Sequence, residues 1–516
     1  MPDRNSYYVT TPIYYVNDVP HVGHAYTTLA CDVMARFMRL DGRDVHFLTG
    51  TDEHGQKIET AAAAAGLAPQ AFTDKVSQSF RDLVAKMNYS PDNFIRTTEP
   101  RHYAACQALW QKLVDAGDIY LGKYAGWYSV RDETYFVEGE TEVGPDKKRR
   151  ATSTGAEVTW VEEPSYFFKL SAWADRLLEF YEKNPRFIAP ESRRNEVISF
   201  VKGGLQDLSV SRTSFSWGIP VPGDEKHIMY VWLDALTNYI TECGYPDTNN
   251  PLWKYWPADL HMVGKDIIRF HCVFWPAFLM AASVALPKRV FAHGWWTNEG
   301  QKISKSLGNV IDPVELVDTY GLDPVRYFLL REVPFGNDGD FSRRALIGRL
   351  NADLANAYGN LCQRSLSIIA KSCGEKVPEK GALTDADTAL LDRARGLLGV
   401  VRGEIDDQAF HKALTAIWEV IADANRYVDA QAPWALAKTD VPRRDTVMWV
   451  LAETIRRVTL MVQPFMPDST AKILDQLAIP AEDRAFSAFD KELVPGTALP
   501  RPQGVFPRFV EAKPSA

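Results

Sequence analysis

Two histidines stand where the chain can bind an anion. His21 and His24 flank Gly23, after a predicted strand over residues 7–11 and at the start of a predicted amphipathic helix. The first amide N–H groups of a helix have no partner within it and its N-terminal end is positive, so phosphate oxygens bind there. Both imidazoles can donate hydrogen bonds to such oxygens, and Gly23 leaves room for a flat base. On its own, however, such a string more often marks a capped, solvated turn.

A second string, the lysine loop of residues 302–306, places two lysines and two serines together. Long, flexible cations such as Lys302 and Lys305 suit a triphosphate whose charge moves during reaction. Alone, this string also describes a solvated loop. Together, the two strings predict that imidazoles from the beginning of the chain and amines from beyond its middle converge on one nucleotide.

In this order the two strings resemble the signature pair of class I aminoacyl-tRNA synthetases. Residues 12–17 and 50–55 resemble the methionyl-tRNA synthetases in particular, and the likeness continues through residues 232–235, 270–276 and 432–434. The resemblance implies ATP-dependent ligation of L-methionine to tRNA(Met) through methionyl-adenylate, with release of AMP and diphosphate. Neither step needs a protein nucleophile, because positioning and charge stabilisation suffice.

The resemblance also implies the residues of each site. Those acting on the phosphates are His21, His24, Lys302 and Lys305, with the largest effect on rate expected from Lys305. Those binding ATP are Gly23, Gly264, Asp266, Trp296 and Lys305. Those binding methionine are Ile13, Tyr15, Asp52, Trp232, Ala235, Tyr239 and His271. Those reading the anticodon are Asn360, Arg364 and Trp434. Mg²⁺ is expected with ATP.

The polar candidates also have ordinary structural interpretations. Asp266 is placed to bind ribose hydroxyls, but it also fits a carboxylate at a helix N-terminus. Asp52 can bind the methionine ammonium, but an Asx-turn explains it as well. Tyr239 and His271 can direct polar hydrogens towards the sulfur, although each is also an ordinary core residue.

The apolar and RNA-facing candidates have alternatives too. Ile13, Tyr15 and Trp232 are expected to form an apolar wall, where a sulfur–aromatic contact contributes roughly 0.3–1.5 kcal/mol. Asn360 and Arg364 are four residues apart and share a helix face, and unstacked bases can contact such side chains. A polar contact between helices, with Trp434 in the core, is the alternative.

Alternating strand and helix patterns predict an α/β fold with a doubly wound, parallel, Rossmann-type sheet. Ligands bind such sheets at the carboxyl ends of the strands, where the loops of His21 and Asp52 fall. The predicted domains are a first Rossmann half (1–118), a connective-peptide insertion (119–212), a second Rossmann half (213–300), a stem-contact module with the lysine loop (301–345) and an α-helical anticodon-binding bundle with a tail (346–516).

Metal ligands are missing from the insertion. Relatives often carry zinc there on cysteines or histidines, but residues 119–212 contain neither residue type. We therefore expect no structural zinc, unlike the metal-bearing branch of the family. The 6 cysteines show no C-x-x-C spacing, which is typical of a reducing compartment.

Composition excludes some classes of protein. A chain of 516 residues, 46% hydrophobic and 24% charged, is typical of a multidomain globular protein. The net charge of −8 argues against a wholly basic nucleic-acid coat, but a local basic surface can still bind RNA. We expect a cytoplasmic protein without a membrane span, since the sequence has no leader and no apolar run of about 18 residues. It has no C-terminal dimerisation module, so we expect a monomer that binds initiator and elongator tRNA(Met).

Three other functions remain open at this point. A nucleotidyltransferase also uses a histidine turn and a serine-rich loop, but such chains are usually shorter and lack a C-terminal bundle. A catalytically inactive RNA-binding paralogue would be expected to lose histidines or lysines that this chain keeps. A synthetase for valine, leucine or isoleucine would need a large editing insertion, and a cysteine enzyme would need metal ligands in its pocket.

Overall fold

The computed structural model describes residues 5–17, 19–132, 134–303 and 308–511. None of the helices within these ranges is long and apolar enough to cross a membrane. The chain divides into two compact units. The first unit comprises residues 1–20 and 46–292, and the second unit comprises residues 21–45 and 293–516.

The regular elements follow in chain order. The strands are β1 (Ser6–Thr10), β2 (Tyr14–Tyr15), β3 (Asp44–Asp52), β4 (Asn93–Arg96), β5 (Ile119–Ser129), β6 (Thr134–Phe136), β7 (Thr141–Val143), β8 (Arg149–Ala151), β9 (Thr159–Phe168), β10 (Ile188–Ala189), β11 (Leu208–Ser209), β12 (Ser211–Arg212), β13 (Pro220–Val221), β14 (Asp224–Met229), β15 (Leu260–Gly264), β16 (Val290–His293), β17 (Trp296–Asn298), β18 (Gln301–Lys302) and β19 (Gly339–Phe341). The α-helices are α1 (Val22–Leu40), α2 (Gln56–Ala64), α3 (Pro69–Lys86), α4 (Pro100–Asp115), α5 (Ala174–Lys183), α6 (Glu191–Lys202), α7 (Val231–Glu242), α8 (Trp275–Ala281), α9 (Pro313–Tyr320), α10 (Leu322–Arg331), α11 (Arg343–Arg349), α12 (Asn360–Ser372), α13 (Asp385–Asp406), α14 (Phe410–Gln431), α15 (Pro433–Thr439), α16 (Val441–Val462) and α17 (Pro467–Gln476).

A parallel sheet organises the first unit. Its strand order is β10-β16-β15-β1-β3-β2, and β4 also pairs with β3. The pairs β1–β15, β10–β16, β2–β3 and β3–β4 are parallel. Every residue of β1 is buried, as expected for a strand covered on both faces. The strand order reverses at β1, so the carboxyl ends of β1, β3 and β15 form the edge where ligands bind in such sheets.

The insertion of residues 119–212 has strands of its own. β5 and β9 form a long antiparallel pair within a sheet of order β11-β9-β5-β6. The polar residues over 144–155 favour a turn, and turns do occur there, but β8 also lies within this range and pairs with β7 in a hairpin. Short strands of charged residues such as Arg149 and Arg150 carry little hydrophobic periodicity, so the sequence gives no strand signal there.

The second unit is mainly helical. α13, α14 and α16 pack together, and α16 is buried along most of its length, from Arg444 to Val462. The apolar spacing over residues 447–462 predicts such a buried helix face. The same unit also contains a small sheet of order β18-β17-β19, and the lysine loop begins in its strand β18.

Candidate active site

His21 and His24 cap the first turn of α1 reciprocally. His21 is the N-cap residue, and its Nδ1 accepts a hydrogen bond from the Gly23 N–H at 3.0 Å. The Nδ1 of His24 accepts from the His21 N–H at 3.1 Å. A Cβ on Gly23 would lie 2.8 Å from the His21 ring, so glycine allows the ring to fold over the turn. Two backbone donors that α1 cannot satisfy itself are thereby satisfied.

These hydrogen bonds fix the tautomers of both imidazoles. Because each Nδ1 accepts a hydrogen bond, each neutral ring carries its own hydrogen on Nε2. Burial lowers the pKa of His21, and burial together with the neighbouring His21 ring lowers the pKa of His24 well below its usual value. The first turn of α1 therefore presents Nε2–H donors on uncharged rings, which suits an anionic phosphate oxygen.

Within the second unit, the start of α1 is hydrogen-bonded to the segment just beyond the lysine loop. The Val22 N–H donates to the Ile311 carbonyl at 3.1 Å, just beyond the loop. In the β17–β18 hairpin, before the loop, Lys302 lies opposite Thr297. Lys305 lies outside the described residues. The segments flanking the lysine loop thus belong to the same unit as the histidine turn.

Two adjacent tryptophans differ in accessibility. The Trp296 ring is buried and packs edge-on against Tyr26 of α1, with ring centroids 5.5 Å apart. The Trp295 ring is 45% exposed. The sequence prediction names Trp296 alone, although Trp295 is the more exposed of the two rings. The binding of ATP by Trp296 stays a prediction.

In the first unit, Asp52 ends β3 beside Tyr15. The two residues are paired in the parallel β2–β3 ladder, and the Val16 N–H donates to the Asp52 carbonyl at 3.2 Å. The next residue, Glu53, accepts bidentate hydrogen bonds from Arg96 at 2.7 and 2.9 Å. This anchors the chain directly after Asp52. A buried carboxylate at a strand end suits an ammonium group.

An apolar wall forms on α7. Ile13 and Trp232 pack against a buried cluster that includes Ala235. The Trp232 ring stacks on Phe270, with centroids 3.3 Å apart and planes 10° from parallel. Phe270 was not among the predicted site residues, although it opens the 270–276 motif. Its stacking fixes the plane of the indole.

Tyr239 and His271 use their polar hydrogens on each other and on the backbone. His271 Nδ1 lies 3.0 Å from the Ile267 carbonyl, which can only accept, so Nδ1 carries the hydrogen. Burial lowers the pKa of His271 to about 4, so its Nε2 accepts from the Tyr239 hydroxyl at 2.7 Å. We expected these hydrogens to face the sulfur. The direction of both hydrogen bonds shows that they do not.

Asp266 folds back towards the end of β15. The strand ends at Gly264, and a 3₁₀ turn from Lys265 to Ile267 follows. A Cβ on Gly264 would lie 2.5 Å from Asp266 Oδ1, so only glycine leaves the carboxylate this position. Because β15 neighbours β1 at the reversal of strand order, Asp266 lies where a ribose can be bound.

The predicted anticodon residues lie on α12 and α15 of the second unit. Arg364 donates to Asp429 at 2.8 Å and to Asn425 at 3.4 Å, which ties α12 to α14. Asn360, at the start of α12, is exposed. Trp434 follows a left-handed residue, Ala432 (φ 43°), and remains 49% exposed. The exposed indole favours a binding role over the alternative of a core tryptophan.

One group among the described residues has donor atoms close enough for a metal ion, and it consists of His102, Cys106 and Asp234. It lies outside the insertion. His102 Nε2 is 2.8 Å from Asp234 Oδ1, a hydrogen-bond distance, whereas two ligands of one tetrahedral zinc are separated by about 3.3 Å. The group is therefore arranged as a hydrogen-bonded pair. The expectation that zinc is absent stays a prediction.

Comparison with known proteins identifies the family. The family model described as "tRNA synthetases class I (M)" matches residues 7–366, and the "Anticodon binding domain of methionyl tRNA ligase" matches residues 377–515. The chain belongs to the class I methionine–tRNA ligases. A methionine–tRNA ligase of Brucella suis is 60% identical over 510 residues, covering 99% of both chains. That of Mesorhizobium japonicum is 59% identical, covering 98% of both.

A solved structure extends the likeness to three dimensions. Mycobacterium tuberculosis methionyl-tRNA synthetase in complex with methionyl-adenylate matches with a TM-score of 0.96 at 56% identity, covering 98% of this chain and 100% of that chain. The apo form of the same enzyme matches with a TM-score of 0.90. The predicted fold class and the prediction of a methionine–tRNA ligase are therefore confirmed. Membership of this family also implies the use of ATP.

Proposed function

We propose that the chain ligates L-methionine to initiator and elongator tRNA(Met) in two steps through methionyl-adenylate. The observation that carries this proposal is the first turn of α1. Its two imidazoles offer Nε2–H donors, and its Val22 N–H is bonded to Ile311 just beyond the lysine loop. A phosphate-binding turn and the flanks of a cationic loop thus share one unit.

In the first step, a carboxylate oxygen of methionine attacks the α-phosphorus of ATP and pyrophosphate departs. His21 and His24 donate hydrogen bonds to phosphate oxygens, and their helix N-terminus adds a favourable dipole. Lys302 and Lys305 neutralise the pyrophosphate as it leaves. Asp266 binds the ribose beside Gly264. Mg²⁺ would enter as part of the Mg–ATP substrate and neutralise charge on its phosphates.

Methionine is held by a carboxylate and an apolar wall. Asp52 pairs with the ammonium, and Ile13, Tyr15, Trp232 and Ala235 surround the thioether. Tyr239 and His271 do not donate to the sulfur, because their hydrogens are already used. They act instead as a rigid pair that shapes the pocket. Selection against leucine-like chains then depends on fit and on sulfur–aromatic contact.

In the second step, a hydroxyl of the terminal adenosine of tRNA attacks the methionyl carbonyl carbon, and AMP departs. Asn360, Arg364 and Trp434 contact the anticodon at the helical bundle. We further propose a cytoplasmic monomer that needs no structural zinc. Gel filtration with light scattering, and metal analysis of the purified protein, test the last two points.

ATP–pyrophosphate exchange tests the function directly. Exchange is expected with methionine and absent with leucine, isoleucine, valine and cysteine. Lys305→Ala should lower the exchange rate by roughly 10²–10³-fold, because it removes a cation that stabilises the departing charge. No exchange with any amino acid would reject the enzyme, and exchange with a different one would reassign its substrate.

Trp434→Ala is expected to raise the KM for tRNA(Met) and to leave methionine-dependent exchange unchanged. Stacking of a base on an aromatic ring contributes roughly 1–3 kcal/mol, which corresponds to about 5- to 150-fold in affinity. Aminoacylation of tRNA(Met) and of an anticodon-changed transcript measures the effect. In the variant, the KM values for the two RNAs should differ less than they do in the wild type. An unchanged KM for tRNA(Met) would place Trp434 outside the RNA interface.

A further inference from the structure

Asp234 is bound on both carboxylate oxygens deep in the first unit. Its Oδ2 lies 2.7 Å from His54 Nδ1, and its Oδ1 lies 2.8 Å from His102 Nε2. The side chain is 1% exposed. In sequence, Asp234 stands on α7 between Trp232 and Ala235, the residues assigned to the apolar wall of the methionine pocket.

The two histidines come from separate elements. His54 follows Asp52 by two residues and lies on the loop that should hold the methionine ammonium. Its Nε2 is 3.0 Å from the Tyr103 hydroxyl of α4. His102 lies on α4 itself. Through Asp234, α7 is therefore fixed to the ammonium-binding loop on one side and to α4 on the other.

Both oxygens of Asp234 accept hydrogen bonds in this group. The Thr241 hydroxyl donates to the Thr237 carbonyl at 2.9 Å, so it must accept from His102 Nδ1 at 3.0 Å. Burial raises the pKa of Asp234, but His54 and His102 outweigh burial and lower it to about 2. The ionised carboxylate accepts hydrogen bonds from both histidines, so both of its buried oxygens are paired.

We propose that Asp234 is a positioning residue for methionine, because it holds the loop of Asp52 and the wall formed by Trp232 and Ala235 at a fixed separation. This inference rests on the proposed role of these residues in binding methionine. Asp234 contacts neither the amino acid nor the nucleotide. Its effect is on geometry, and a misplacement of about 1 Å can cost as much as 10²-fold in rate.

The expected signature is a split between the two substrates. Asp234→Asn keeps the size of the side chain and one acceptor for His102, but it removes the charge and the second acceptor. It should raise the KM for methionine roughly 10- to 100-fold and leave the KM for ATP within about twofold. A general loss of folded structure would instead raise the KM for methionine and the KM for ATP together.

Glu242 provides a matched control on the same helix. It is also a buried carboxylate, bound by His46 Nε2 at 2.8 Å and by Asn93 at 2.8 Å, but it makes these contacts two turns away from Asp234. Glu242→Gln should leave the KM for methionine unchanged. If both variants raised the KM for methionine equally, the effect would come from removing any buried charge from α7. That result would overturn the proposal.

A double-mutant cycle with His54→Gln completes the test. If His54 and Asp234 act as one bridge, the double variant should raise the KM for methionine no more than either single variant. Additive effects would overturn the proposal, as would stoichiometric metal in the wild type that Asp234→Asn removes. A wild type without methionine-dependent exchange would instead reject the proposed function. An active wild type with an unchanged Asp234→Asn KM would reject only this inference.

Discussion

His24→Ala is expected to slow adenylate formation by about 10²–10³-fold, the loss typical of removing one donor that stabilises developing negative charge. The His24 ring is held by the His21 N–H, so its Nε2–H points from a fixed position. Burial keeps this ring neutral, and a neutral donor costs little reorganisation when a phosphate binds. Pre-steady-state measurement of pyrophosphate release gives the rate.

A smaller side chain separates catalysis from capping. Alanine also removes the acceptor for the His21 N–H, which should cost about 0.5–2 kcal/mol of stability. His24→Asn supplies an oxygen for this N–H and a short amide donor, so stability should recover while most of the rate loss remains. If the His24→Ala protein were less stable but formed adenylate at the normal rate, the role of His24 would be to cap α1 and not to assist the reaction.

The pH dependence has a defined sign. Since the folded protein lowers the pKa of both His21 and His24, the unfolded chain binds protons first as the pH falls. Stability should therefore be complete above the ordinary histidine value of about 6.5 and should decrease below it. The rate of adenylate formation should not decline at pH 6.5 itself.

The spacing of apolar residues predicts strands and helices well, because each such element depends on residues close together in sequence. Apolar residues over 259–263 predict a strand, and β15 runs from Leu260 to Gly264. Spacing predicts a helix over residues 69–87, and α3 covers Pro69–Lys86. The loops that follow β3 and β15 were assigned from their position at strand ends. Burial on one or both faces imposes a period that the sequence must show.

Side-chain contacts are much harder to predict, because the two residues in contact are often far apart in sequence. His54 and Asp234 are separated by 180 residues, and His102 and Asp234 by 132. From the sequence alone, nothing indicates that both histidines bind the same aspartate. Tautomers are equally inaccessible, since the proton on His271 is decided by the carbonyl of Ile267. These contacts exist only once the sheet and α7 are assembled.

Arg326→Ala is expected to cause the largest loss of stability, about 3–5 kcal/mol of unfolding free energy. Arg326 Nη2 lies 2.6 Å from Asp32 Oδ2, and both side chains are 0% exposed. The guanidinium also donates to the carbonyls of Phe465 and Pro464 at 2.9 and 3.0 Å. Alanine removes a donor from both carbonyls and a buried cationic partner from Asp32 on α1, which keeps its contact with Arg36 Nε at 2.8 Å. Urea denaturation followed by circular dichroism measures the effect.

An exposed ion pair in the same unit is the matched control. Arg343 and Glu315 are 3.0 Å apart and 58% and 60% exposed, so Arg343→Ala should cost less than about 1 kcal/mol. Arg326→Lys should recover little, because an ammonium cannot reproduce the planar fork that reaches Asp32 and two carbonyls together. Since Asp32 lies on the helix that begins with the histidine turn, Arg326→Ala should also slow adenylate formation. If Arg326→Ala and Arg343→Ala lowered the free energy of unfolding equally, the buried pair would contribute no more to stability than the exposed pair.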